Sequence, residues 1–214
     1  MRLPTRARAD TMRDRLVWQC ASLLLDYPDE RRLATVDELL THLHDSAADL
    51  LGRTASALKS RDPSQNSAEY VDTFDLRSRC TMYLTYWTAG DTRDRGPHML
   101  AFAQAYRQAG VEPPAREAPD FLPVVLEFAA TVDPAAGRAL LADHRVSIEV
   151  LREALTAAGS PYAPAVVAVA DTLPVIGEGE VLRARRLART GPAVEHVGLE
   201  PITLGMPGRR EGGR

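Results

Sequence analysis

The segment GDTRDRGP, Gly90 to Pro97, sets carboxylates against guanidinium groups between two stretches of helical periodicity. At this spacing Asp91, Arg93, Asp94 and Arg95 either pair with one another and cap helix ends, or order a polar wall beside a groove formed by the aromatics upstream. A further acidic set, Glu117, Asp120 and Glu127, lies in EAPDFLPVVLEF. Glu127 is flanked by Val124, Val125, Leu126 and Phe128, so it is expected to be drawn inward toward an arginine partner. Upstream of the loop stand Tyr70, Phe74, Tyr83, Tyr86 and Trp87. Read as one helix, Tyr70 and Phe74 share a face, as do Tyr83 and Trp87, with Cys80 and Leu84 filling it. Helix neighbours are about 100° apart, so Tyr83, Tyr86 and Trp87 cannot all face the core. At least one ring is expected at a groove, where an aromatic with a polar handle suits partner binding. The alternative for each ring taken singly is core packing.

Enzymatic constellations are missing from the chain. It contains no P-loop, no G-x-G-x-x-G after a strand, no G-x-S-x-G and no H-E-x-x-H. His42 and His44 are two apart, so on a helix they diverge by about 200° and cannot share a metal. His98, His144 and His196 are isolated in sequence. Cys20 and Cys80 give neither a disulfide framework nor zinc spacing, which favours a reducing cytoplasm. The expectation is a protein that is not an enzyme and has no metal site and no cofactor of its own.

The elements that must position these residues are helical. Apolar residues recur at spacings of three and four with almost no alternation. Leu16, Cys20, Leu23 and Leu24 mark a first helix ended by Tyr27-Pro28, and Asp29-Glu30 starts a short second one. Leu39, Leu40 and Leu43 mark a third, and Leu50, Leu51, Ala55 and Leu58 a fourth. SRDPSQNS, Ser60 to Ser67, reads as a loop, with Ser67 capping the aromatic helix. Gly90, Gly96 and Pro97 form the loop that leads into a helix ended by Gly110. After the connector VEPPAREAP, Asp120 caps FLPVVLEFAATV, Asp133-Pro134 starts RALLADH, Ser147 starts IEVLREALTAAG, and Pro164 opens a last helix to Leu173. The fold class is all-α, a single-domain bundle of about eight to ten helices. The expected organisation is a flexible basic segment at 1–12, a helical domain at 13–176 and a largely disordered tail at 177–214. Within that tail Glu180 to Ala188 has helical character.

The 214 residues are 45% hydrophobic and 26% charged, ordinary for a soluble globular protein, and no apolar run reaches the roughly 18 residues of a membrane span. The arginines up to Arg15 followed by LVWQCASLLL imitate a secretory signal, but Trp18, Gln19 and the charged turn DYPDERR argue against it. The net charge of −3 conceals an acidic body, because residues 16–176 carry −8 and both ends are basic. Such a body attracts basic partners and disfavours nucleic acid.

YVDTFDLRSRCTMYLTYWTAGDTRDRGPHMLAFAQAYRQAG, followed by EAPDFLPVVLEFAA, resembles the respiratory nitrate reductase assembly chaperones of the NarJ type, the delta subunits, within the TorD-like redox-enzyme maturation proteins. LLLDYPDE and VGLEP resemble the same group, and the similarity runs from about Leu16 to Leu173. The resemblance implies an all-helical, cytoplasmic, non-catalytic chaperone. It would bind the N-terminal segment of the apo catalytic (alpha) subunit of nitrate reductase, hold it for molybdenum cofactor insertion and prevent premature membrane attachment. Cofactor-loading proteins are further candidate partners, and membrane insertion of the chaperone itself is not implied. Asp120 matches the acidic position of the wider family's E-x-x-D-H signature, with Phe121 in place of its histidine. Glu127 and Phe128 match the end of that signature, and Tyr83, Trp87, Asp91, Arg93, Arg95 and Gly96 match the branch's loop. On this reading Tyr83 and Trp87 offer apolar area to an amphipathic leader helix, and Asp91, Asp120 and Glu127 receive its basic residues. The alternatives are an adaptor for a twin-arginine exported molybdoenzyme and a nucleotide-hydrolysing enzyme built on the Asp/Arg loop. The basic run Arg183 to Arg189 either lies across the peptide site as a competitor or is solvated.

Overall fold

The computed structural model describes residues 5–90 and 95–191. Among them are eleven α-helices: α1 Thr5–Leu25, α2 Glu30–Leu40, α3 Ser46–Lys59, α4 Pro63–Tyr70, α5 Tyr86–Ala89, α6 Arg95–Gln108, α7 Leu122–Thr131, α8 Pro134–Asp143, α9 Arg145–Ala157, α10 Ala163–Asp171 and α11 Glu178–Thr190. A π-helical turn, Val71–Asp75, and a 3-10 turn, Ser78–Cys80, separate α4 from α5. The all-α bundle is as expected, and no described helix is long and apolar enough to cross a membrane.

α1 is the central helix, packed on α2, α3, α7 and α10, while α9 joins α10 to α8 and carries α11 on its far side. Its inward face holds Val17, Trp18, Ala21, Leu24 and Leu25, all essentially buried. Trp18 satisfies its indole by donating to the Thr172 hydroxyl at 2.8 Å, and the Arg138 guanidinium lies 4.9 Å over its ring. Arg138 also pairs with Asp14 and donates to the Thr172 carbonyl, so α1, α8 and α10 share one polar clamp. Helix ends are closed locally: Asp29, Asp45 and Asp133 accept from the first-turn amides of α2, α3 and α8.

Several boundaries differ from expectation. α2 is one helix where two were expected, ending at Leu40. The polar run at Ser60–Ser67 is not a loop, because Pro63 takes the first position of α4 and the Gln65 side chain accepts from the Asp62 amide. Ser67 is therefore inside α4, donating back to the Pro63 carbonyl, rather than capping it. α1 reaches back to Thr5 across the segment expected to be flexible. Helical packing also continues beyond 176, since α11 sits on α9 with Ala184 fully buried. VGLEP and the remainder of the expected tail fall in 192–214, outside the described residues.

α7 and α8 approach so closely that a Cβ on Gly137 would fall 2.4 Å from the Ala129 backbone. Gly137→Ala is expected to cost about 1–3 kcal/mol, with Tm falling roughly 2–4 °C per kcal/mol in a thermal melt. A second expectation concerns His144, which stacks on Phe102 at 4.8 Å. Burial lowers its imidazole below the ordinary 6.5, outweighing the Leu140 carbonyl and the nearby carboxylates. The unfolded chain therefore takes the proton first, so this contribution is full above pH ~6.5 and declines as pH falls below it. Urea midpoints across that window should show a smaller drop for His144→Gln than for the parent chain.

Candidate functional site

The stretch expected to be one aromatic helix is broken. After α4 the chain widens into the π-turn, where the Leu76 amide reaches the Val71 carbonyl, and by Thr81 it is extended. Residues 82–84 then run antiparallel to 120–122. The Leu84 amide donates to the Asp120 carbonyl at 3.1 Å, and the Leu122 amide donates to the Met82 carbonyl at 3.0 Å. The physical reason is the Asp120 carboxylate, which is 0% exposed and needs donors. Its Oδ2 accepts from the Thr85 amide at 3.1 Å and from the Thr85 hydroxyl at 2.6 Å. A helix running through Thr85 would have committed that amide to a carbonyl four residues back.

Arg95, at the start of α6, completes the knot. Its Nε donates to the Thr85 hydroxyl at 3.1 Å, its Nη2 lies 3.6 Å from Asp120 Oδ2, and its guanidinium stands 5.3 Å over the Tyr83 ring. The Ser147 hydroxyl donates to the Leu84 carbonyl, tying α9 to the same segment. Asp120 is therefore not the cap of α7; Phe121 holds that position, and Asp120 is spent inward.

On the outer side of this segment is a cavity of about 230 Å³. It is lined by the rings of Tyr27, Tyr70, Phe74, Tyr83 and Phe121, by Met82, and by the carboxylates of Asp26, Asp75 and Glu117. The rings brace one another: Tyr27 on Tyr70 at 5.3 Å, Tyr70 on Phe74 at 4.9 Å and Tyr83 on Phe121 at 5.4 Å. Burial is the main cause raising the Tyr83 hydroxyl above its ordinary value, with Glu117, Asp120 and Asp75 adding to it. Tyr70 is raised chiefly by burial as well, then by Asp26 and Asp75, so carboxylate charge converges on both rings. Asp26 pairs with Arg32 at 2.6 Å, whereas Asp75 and Glu117 have no ion pair among the described residues.

The sequence-predicted residues divide accordingly. Tyr83 and Phe121 line the cavity, while Arg95 and Asp120 stand behind it. Trp87 does not share a face with Tyr83, because four-residue spacing has no such meaning off a continuous helix. It is buried in a separate cluster with Val146, Val150 and Ala184. Glu127 is not drawn inward but exposed on α7, in a shallow groove with Tyr106, Val124 and Phe128. Gly90 ends α5 at φ 66°, while Gly96 and Pro97 fall within the first turn of α6. Asp91 and Arg93 lie outside the described residues. Sequence reasoning missed Asp26, Tyr27, Asp75 and Thr85; the acidic and aromatic mixture in LLLDYPDE and YVDTFD was the available signal. Among the described residues no three His, Cys, Asp or Glu side chains converge to hold a metal ion.

Asp120→Ala should cost about 3–5 kcal/mol of stability, since it strands Arg95 and Thr85. Thr85→Val should cost about 1–3 kcal/mol. Chemical denaturation reads both, and losses under 1 kcal/mol would remove the knot from the account of this segment.

Residues 31–168 match the nitrate reductase delta subunit family. The chain is 63% identical over 163 residues to the nitrate reductase-like protein NarX of Mycobacterium tuberculosis, covering 76% of this chain but only 25% of that relative's length. It is 32% identical to the nitrate reductase molybdenum cofactor assembly chaperone NarJ of Escherichia coli, over 66% of this chain and 63% of the relative. The crystal structure of an Archaeoglobus fulgidus protein assigned to redox enzyme maturation superposes with a TM-score of 0.56 at 27% identity, covering 73% of this chain and 91% of that one. With its helical architecture and more than half its length inside the matched region, the chain belongs to the nitrate reductase delta subunit family, of the NarJ type.

Proposed function

We propose that this chain is a maturation chaperone that binds the N-terminal segment of the apo catalytic subunit of a nitrate reductase and holds it for molybdenum cofactor insertion before membrane attachment. It acts in the cytoplasm, performs no catalysis, and hands its client to the cofactor-loading proteins. The observation that carries this reading is the cavity beside Tyr83. Five rings and three carboxylates, with no cation among its described lining residues, make a receptor for a guanidinium or ammonium group. At about 230 Å³ it falls below the roughly 300–1,000 Å³ of small-molecule and cofactor sites, so it suits one long basic side chain of a peptide. The family's named relatives support the client class: one is named for nitrate reductase molybdenum cofactor assembly.

This reading gives individual residues distinct roles. Tyr83 and Phe121 contribute ring faces, and Asp75 and Glu117 receive the cation with Asp26 at the rim. Asp120, Thr85 and Arg95 keep the Tyr83 segment extended rather than touching the client. Asp91 and Arg93, which precede Arg95 in sequence, are client-binding residues in this reading, and Glu127 belongs to an outlying part of the client surface.

The test is calorimetric titration with a peptide of the first ~20 residues of the cognate catalytic subunit, long enough for several helical turns. Saturable binding is expected, weakened on the order of tenfold by Asp75→Asn/Glu117→Gln and by Tyr83→Ala, with a smaller salt dependence for the charge variant. Unaltered affinity in all variants would remove the cavity from client binding. Absence of binding by the parent chain, with tight binding of a twin-arginine leader, would reassign the client.

A further inference from the structure

α11 is held on the bundle by little. Ala184 is its one fully buried residue, Leu187 and Ala188 are half-covered, and Leu182 is 64% exposed. Its side-chain ion pair to the bundle, Arg185 with Glu153 at 3.3 Å, leaves the Arg185 side chain 58% exposed, and ion pairs open to solvent contribute little. Beyond it Arg79 donates to the Arg189 carbonyl at 3.5 Å, the limit of a hydrogen bond. The connection from α10 passes through Pro174, the 98% exposed Val175 and Gly177.

What α11 covers is more substantial. α9 presents Ile148, Leu151 and Leu155 to the main core but Val146 and Val150 to a second cluster with Trp87, and Ala184 closes that cluster from outside. Trp87 is 2% exposed and its indole Nε1 is buried without a hydrogen-bond partner among the described residues. A buried donor left unpaired is costly, and tryptophan normally finds a partner when it is buried. The covered surface thus combines apolar area with an unmet donor, and α11 leaves that donor unserved.

α11 has the chemistry that the proposed client requires: an amphipathic helix with a small residue at the contact and Arg183, Arg185, Arg186 and Arg189 around it, against an acidic body. We propose that the Trp87, Val146 and Val150 face is a helix-docking surface which a basic amphipathic client helix takes over from α11, so that α11 is a built-in competitor. This rests on the client reading above and extends it, because Tyr83 at the cavity and Trp87 at this face are joined through one four-residue step. The displaced α11 swings away on the 174–177 connection, and the client helix supplies an acceptor for the Trp87 indole.

The test uses the full chain with Glu153→Cys and Arg185→Cys, Cys20 and Cys80 having been replaced by Ala, and a short bismaleimide to bridge the new pair. The bridged protein is expected to bind the client peptide at least about tenfold more weakly than the same variant left unbridged. Equal affinity of the two forms would overturn the competition. A second readout needs no client: amide hydrogen exchange of α11 in the unmodified chain should proceed by local opening, about a hundredfold or more faster than in α9. Exchange of α11 and α9 at one common rate would overturn α11 as a removable cover. If the parent chain binds no client peptide while α11 still opens locally, the client assignment fails and the removable cover stands.

Discussion

The Asp120 carboxylate is the constraint on which the functional face depends. A buried charge must collect donors, and here they come from a segment that would otherwise have continued a helix. Holding Thr85 against Asp120 forces residues 82–84 into an extended run paired with 120–122. That pairing sets Tyr83 beside Phe121, and Arg95 then finds the Thr85 hydroxyl, the carboxylate and the Tyr83 ring within reach at once. One desolvated group thereby fixes the position of three neighbours, and two of the rings around the cavity inherit their placement from it.

Much of the bundle was legible from periodicity, because helices such as α1 and α3 bury stripes that recur every three or four residues. The functional face was less so. Tyr70, Phe74, Tyr83 and Trp87 fit a helical spacing as well as the helices that do form, and nothing local to the stretch reveals the break. The cause lies 35 residues downstream in Asp120, whose Oδ2 meets the Thr85 amide and hydroxyl only once the chain is folded. The polar run at Ser60–Ser67 misled for the opposite reason: loop-forming composition hid a proline and a glutamine placed to start α4. Tyr83 and Phe121, singled out in the sequence, line the cavity, whereas Asp120, singled out with them, is hydrogen-bonded to Thr85 and is not among its lining residues.

The two apolar clusters divide the labour of the fold. The larger one is sealed by helices that bury whole faces, whereas the smaller is closed by a helix contributing one fully buried alanine with the half-covered Leu187 and Ala188 beside it. Such an arrangement concentrates low local stability at one place on a stable scaffold, which is where a binding surface can be uncovered without unfolding the rest.

The most direct measurement is hydrogen exchange of the full chain, resolved by fragment, with and without the N-terminal peptide of the cognate catalytic subunit. The predicted result is slower exchange in the fragments carrying Asp26–Tyr27, Tyr70–Asp75 and Glu117–Phe121, with Thr85 equally protected in both states. Slowing confined to other surfaces, such as the outer faces of α2 and α3, with these fragments unchanged, would contradict the placement of the client at the cavity that Asp120 holds open.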